Sequence, residues 1–283
     1  MSFQEYLVAL RRKATEIRME TLKMITNAES GMVGSALSCV EIMTALYYGQ
    51  GLNGPFLNID PGNPNSEEQD YFILSKSGAA PTWYAILADL GYFSNEELNY
   101  YKATGSLLTA IPRSKIPGVP LAAGLAGQGV AGAVGLAMTL KSERSRNQVF
   151  VLVGDAEMSN GTVWESLLQA GHAKLGNFIM IVDRNGIQQD GIVRNLNIVD
   201  PISDKLDNFG FRTINVFAGH DFDQLLGAYD KAIAETRLPV AIIAKTVKAK
   251  GVDFAENKSF YHDKPLSREE LAEALQSLER KID

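Results

Sequence analysis

Apolar and polar positions along this chain follow two rhythms. Through residues 4–27, 37–48, 79–90 and 95–102 the apolar residues recur every three to four positions, which predicts helices that bury one face. Short unbroken apolar runs separate the later helical stretches: "YFILS" (71–75), Val149 to Val153, "FIMIVD" (178–183), "TINVF" (213–217) and "VAIIAK" (240–245). Their length and β-branched content predict strands buried on both faces. Residues 162–176 read as a helix closing on Gly176 as its C′ residue. Residues 221–236 and 267–281 read as amphipathic helices with Asp221 and Ser267 as N-caps. Strands alternating with helices predict an α/β fold, a parallel sheet flanked by helices on both faces. No repeat, low-complexity tract or linker divides the chain, so residues 1–283 are expected to form a single domain.

One stretch tests this picture. Ile116 to Leu140 carries no charge and is long enough to span a bilayer. Pro117, Pro120, several glycines and Gln128 break it, so a glycine-rich loop leading into a buried helix of small residues is the expectation. A hydrophobic fraction of 46% with 21% charged residues is that of an ordinary globular chain. The net charge of −6 leaves no footprint for nucleic acid, and no basic run points to a membrane surface. A single cysteine, Cys39, excludes an intrachain disulfide and suits a reducing, cytoplasmic location. The charged N-terminal segment is not a signal peptide.

Chemistry enters at "VLVGDAEMSNG" (152–162), where an apolar strand ends in Asp155. A buried, unpaired carboxylate costs several kcal/mol, so Asp155 needs a partner: a helix N-terminus, a basic side chain or a metal ion. Asn185 follows 30 residues later, one strand–helix–strand crossover away and after the next strand. Both fall at the carboxyl ends of parallel strands, where ligands gather. An Asp carboxylate, an Asn amide oxygen and a nearby backbone carbonyl suit magnesium, which takes its remaining oxygens from phosphate and water. The helix expected from about Gly161 adds a positive end for an anion. A magnesium–diphosphate site is the reading these residues support, beside the plainer one of a strand-end cap and an Asn-Gly turn.

The segment from Gly154 to Gly191, "GDAEMSNGTVWESLLQAGHAKLGNFIMIVDRNGIQQDG", resembles the thiamine-diphosphate signature of transketolases. So do residues 30–49, 69–87, 117–137 and 244–266, in the same order, and the similarity is strongest to the N-terminal subunit of two-chain transketolases. The resemblance implies that Asp155, Asn185 and the carbonyl of Ile187 hold Mg2+ or Ca2+. It implies that Gly124, Gly154, Ala156 and His262 line thiamine diphosphate, with His262 at the diphosphate. His262 and Glu165 are the catalytic candidates, the latter through a proton network between two active sites. The resemblance also implies a second polypeptide, which supplies the pyrimidine-binding domain and its glutamate, in a heterotetramer of two copies of each chain. His172 and His220 have bland expectations, a packing or surface position on a helix and a turn.

The departures from the family pattern bear on function. Met32 stands where the family has the histidine of "SGH", Gly78 replaces the histidine of "SKGH", and Ile111 (or Ala110) that of "GHP". Ala122 to Gly129 replace "STGSLGQG", Ala156 replaces the second glycine of "GDG", and Asn160 an interface glutamate. In the family those histidines bind ketose hydroxyls and shuttle protons, a contribution of about 10² to 10⁴ in rate for one such group. Their loss beside retained metal ligands implies a ketol transferase with a ketose donor and an altered, less polar acceptor. A carrier-bound thiol or an apolar aldehyde fits, as does a 2-oxoacid donor with decarboxylation. A cofactor-holding but inert chain is the alternative from another class.

Overall fold

The computed structural model describes residues 2–123, 126–197 and 199–281. Ten helices and nine strands follow in order among them: α1 (Phe3–Asn27), α2 (Val33–Leu37), α3 (Val40–Tyr48), β1 (Gln50–Gly51), β2 (Gly54–Pro55), β3 (Tyr71–Leu74), α4 (Ala80–Asp89), α5 (Gln128–Ser142), β4 (Val149–Gly154), α6 (Gly161–His172), β5 (Phe178–Arg184), β6 (Ile187–Gln188), β7 (Gly191–Ile192), α7 (Val193–Leu196), α8 (Ile202–Asn208), β8 (Arg212–Val216), α9 (Phe222–Ala234), β9 (Val240–Lys245) and α10 (Arg268–Glu279). Five strands form one sheet in the order β3-β4-β5-β9-β8, every pairing parallel. The two remaining pairs are two-residue hairpins.

Side-chain alternation along the strands builds a core on each face of the sheet. Phe150, Leu152, Ile179, Ile181 and Ile242 face a core closed by α1, α3, α4, α9 and α10. Val149, Val151, Val153, Phe178, Met180 and Val182 face a second core, closed by α5, α6 and α8. Ser267 opens α10 and Ser2 opens α1 with reciprocal capping boxes, and Asp221 caps α9 by accepting from the Gln224 amide. Cys39 is fully buried on α1's side of the sheet, and burial pushes its thiol up to about 12.

Several boundaries differ from the sequence expectation. The helix expected over 37–48 is two pieces, broken at Ser38 and Cys39, where Ser38 Oγ donates to Asp183 at 2.6 Å. Residues 95–100 form a 3₁₀ helix. The helix of residues 162–176 ends at His172, and its left-handed closing residue is Lys174 (φ 49°), not Gly176. Gly176 is small for another reason: a Cβ there would overlap the Thr236 carbonyl. In the uncharged stretch the described residues before Gln128 form no strand or helix and those from Gln128 belong to α5, and no helix among the described residues is long and apolar enough to cross a membrane.

The topology places a cleft. From β3 the chain leaves toward α4 on one face; from β4 it leaves toward α6 on the other. From β5 it continues on the α6 face to α8, whereas β8 and β9 lead back to α9 and α10 on the first. Neighbouring strands that diverge in this way leave a crevice at their carboxyl ends. Here two such points flank β4 and β5.

Candidate active site

The floor of the crevice is a buried ion pair. Asp183, at the end of β5, has no exposed surface and accepts from Lys76 Nζ, Ser38 Oγ and Thr246 Oγ1. Burial opposes its charge, but the Lys76 charge and these hydrogen bonds hold its carboxyl below the usual range. Lys76, one residue beyond Ser75 at the end of β3, also donates to the Ser35 carbonyl at 2.9 Å and to Ser38 Oγ at 2.8 Å.

Asp155, at the tip of β4, stands above this pair and is 3% exposed. Its oxygens accept the Gly186 amide at 2.6 Å and the Ala156 amide at 2.9 Å, and no basic side chain reaches it. Burial, with the charge of Asp183 second, pushes its carboxyl up to about 6. A carboxylate so placed is short of positive charge. Asn185 and Ile187 line the same cleft, and Asn185 Oδ1 accepts the Ile187 amide at 3.2 Å. One carboxylate, one amide oxygen and one carbonyl give a hard, partial oxygen shell that fits magnesium or calcium completed by phosphate oxygens. No cluster of three or more His, Cys, Asp or Glu side chains able to hold a metal exists among the described residues. A cation here therefore depends on its ligand as much as on the protein.

Positive charge lies on the opposite wall. Lys248 Nζ donates to the Ile187 carbonyl at 2.8 Å and to His262 Nδ1 at 2.7 Å. Burial, then repulsion from Lys76, lowers Lys248 to about 8. Burial, then the charge of Lys248, lowers His262 to about 4, so His262 is neutral at pH 7. With Nδ1 accepting from an ammonium, its proton sits on Nε2. The cleft encloses about 240 Å³ and is lined by Lys76, Lys248, His262, Asp155 and Asn185, together with Ser35, Gly78, Gly154, Ala156 and Asn160. Lys248 and Lys76 are not legible in the sequence; a lysine in "AKTVKAKG" has no local feature to mark it.

The remaining expected residues divide. Gly154 and Ala156 line the cleft; Ala156 starts a 3₁₀ turn with ordinary backbone, so it tolerates a Cβ where the family has glycine. Gly124 lies outside the described residues. Glu165 is exposed on α6 and is not brought to the cleft. The glutamate that does reach it is Glu157, which accepts Ser75 Oγ, the Gly127 amide at 2.6 Å and the Gly154 amide at 3.2 Å. It ties the ends of β3 and β4 to the start of α5. His172 is exposed on α6, as expected.

The three departures from the histidine pattern do not share one place. Gly78 lines the cleft, and a Cβ there would fall 2.8 Å from Met32 Sδ and 2.9 Å from Ser35 Cβ. Met32 thus packs beside the bare backbone of Gly78, and the cleft wall at this point carries the Ser35 and Ser77 side chains and no imidazole. Ile111 is 40% exposed and stands outside the cleft lining.

Oxygen atoms that suit one cation, in one cleft with two lysines and a histidine at the carboxyl ends of a parallel sheet, fit a phosphorylated cofactor. Comparison with known proteins specifies which. Residues 10–281 match the model for "Transketolase, thiamine diphosphate binding domain". The chain is 34% identical over 271 residues to one of the apulose-4-phosphate transketolase subunits of Actinobacillus succinogenes, covering 95% of each. It is 32% identical over 277 residues to the 6-deoxy-6-sulfo-D-fructose transketolase subunit SqwG of a Clostridium species, covering 98% of each. Against mouse transketolase it is 34% identical, but spans only 43% of that longer protein. The crystal structure of transketolase from Campylobacter jejuni superposes with a TM-score of 0.89 at 30% identity, over 99% of this chain and 43% of that one. The chain belongs to the transketolase family and matches its thiamine-diphosphate-binding domain, and the family's enzymes are transferases.

Proposed function

We propose that this chain is a single domain serving as the diphosphate-binding half of a two-chain enzyme. That enzyme moves a two-carbon ketol unit from a ketose or ketose phosphate to an acceptor that is not an aldose phosphate. One observation carries the reading: the groups that would hold the cation and the anion line one cleft, while Gly78 in its wall, packed against Met32, carries no protonatable group. Decay without selection would erode the cradle as well.

In this reading Asp155, Asn185 and the Ile187 carbonyl hold magnesium, and Gly154, Ala156, Lys248 and His262 face the diphosphate. Thiamine diphosphate, when bound, supplies the carbanion chemistry that breaks the donor's carbon–carbon bond. Lys248 offers charge, and His262 offers a donor at Nε2 and no charge of its own. The wall at Gly78, backed by Met32, offers no imidazole to bind or shuttle a proton, only the hydroxyls of Ser35 and Ser77. A site that binds hydroxyls discriminates through paired polar groups, so a wall that lacks the imidazole accepts polyhydroxylated aldehydes poorly.

A separate chain carrying the pyrimidine-binding domain and its glutamate completes the enzyme, in a heterotetramer of two copies of each. The names of the relatives, which are themselves transketolase subunits, support such a partner. An apolar aldehyde is the acceptor class that suits the wall, because the two-carbon unit leaves as a carbon nucleophile and its acceptor must offer an electrophilic carbonyl. The test is reconstitution with the partner chain. The pair is expected to cleave a ketose or its phosphate, to transfer slowly to ribose 5-phosphate, and to form a new carbon–carbon bond to the carbonyl carbon of an apolar aldehyde, read by mass spectrometry as a product two carbons longer. Rapid transfer to ribose 5-phosphate would overturn the acceptor assignment. No turnover of any ketose or 2-oxoacid would favour an inert, cofactor-holding chain.

A further inference from the structure

Lys248 does not hold its own place. It sits in the turn that follows β9, and that turn is gripped from behind by three side chains from separate parts of the chain. Val247 donates its amide to His220 Nε2 at 2.8 Å. The Lys250 carbonyl accepts Arg18 Nε at 2.8 Å. Glu41, on α3, joins the two: Oε1 accepts Arg18 Nη2 at 2.5 Å, and Oε2 meets His220 Nδ1 at 2.8 Å. Arg18 and Glu41 are buried, and His220 is nearly so.

These contacts fix the state of the imidazole. An amide N–H can only donate, so Nε2 is the bare nitrogen, and the ring's one proton lies on Nδ1, directed at Glu41. His220 therefore spans a carboxylate and a backbone amide as a rigid spacer of one length. Between its amide contact and Arg18's carbonyl contact lies the segment Lys248-Ala249, with Ala249 in the left-handed region (φ 58°). That conformation is unfavourable for a residue with a Cβ and persists only where its surroundings impose it. Its own amide is taken by the Gly34 carbonyl at 3.2 Å. Beyond the turn, Lys248 Nζ reaches the Ile187 carbonyl and His262.

We infer that His220, held by Glu41 and Arg18, is a positioning residue that sets Lys248 against the diphosphate cleft. The inference rests on the reading of that cleft as a magnesium–diphosphate site. His220 touches neither cofactor nor substrate; it acts through the turn alone. From sequence it reads as a turn residue before α9, because its partners lie 179 and 27 residues away along the chain.

The test is calorimetric titration of magnesium thiamine diphosphate into the chain reconstituted with its partner, with thermal unfolding of each variant recorded alongside. Lys248→Ala should weaken binding, and His220→Leu should weaken it by about 10- to 100-fold, the range of residues that orient a binding group. His220→Asn, polar but too short to span Glu41 and Val247, should behave like His220→Leu and serves if the leucine variant does not fold. His220→Gln, whose amide can accept from Val247 and donate to Glu41, should restore binding. In the Lys248→Ala background, His220→Leu should add nothing. A multiplicative loss in the double variant, or wild-type affinity in a folded His220→Leu or His220→Asn chain, would overturn the positioning role. Unchanged affinity in Lys248→Ala alone would instead overturn the reading of the cleft.

Discussion

Glu41 shows how one buried residue sets the acid limit of the fold. Burial opposes its charge, but Arg18 and then His220 outweigh it and bring its carboxyl down to about 2. A carboxyl depressed in the folded state stabilises above its unfolded value near 4.5, and that contribution is lost as pH falls toward 2. The shift corresponds to about 3 kcal/mol. Glu41→Gln is therefore expected to destabilise by roughly that amount at pH 6, with the gap to wild type narrowing below pH 4. Urea unfolding of both chains at pH 6 and pH 3 measures it, and a gap that does not change with pH would refute an ionised Glu41. At this scale the sequence is legible where chemistry follows a strand end. Asp155 and Asn185 stand out because an apolar run stops at a polar side chain, and the next run repeats the event 30 residues on. Lys248, Lys76 and Glu157 are not legible, since each acquires its role from partners distant in sequence.

Helix α6 shows at the scale of an element what propensity does not decide. Gly171 lies in its last turn, where alanine is the better helix former by about 1 kcal/mol. Yet a Cβ there would run into the Phe209 carbonyl, because α6 packs backbone to backbone against the end of α8. Gly171→Ala is expected to destabilise the chain by about 2 kcal/mol or more, since overpacking outweighs propensity. Thermal unfolding that shows an unchanged or raised midpoint would refute the close approach. The long periodic helices and the five strands of the sheet, at 71–75, 149–153, 178–183, 213–217 and 240–245, can be read from pattern alone. The break between α2 and α3 cannot, because it follows Ser38's bond to Asp183 across the fold. Short α7 and α8 carry too few turns to show a period.

For the whole molecule, alternation of strands and helices is enough to predict the parallel sheet, and the sheet's crossovers place the cleft. What pattern cannot supply is which walls the cleft has, since Met32 meets Gly78 only in three dimensions. The cradle also leaves the cation shell partial. Thiamine diphosphate is therefore expected to bind this chain weakly alone and far more tightly once magnesium and the pyrimidine-domain partner are added. Asp155→Ala should abolish the tightening in calorimetry, and tight, metal-independent binding by the lone chain would refute the arrangement. The buried cysteine has a practical corollary. With Cys39 fully enclosed and its thiol at about 12, the chain presents no thiol that an electrophile can reach at neutral pH. Maleimides and iodoacetamide should pass over the native chain. In the reconstituted enzyme any thiol that they do alkylate must then belong to another molecule, so alkylation becomes a selective label for a partner chain.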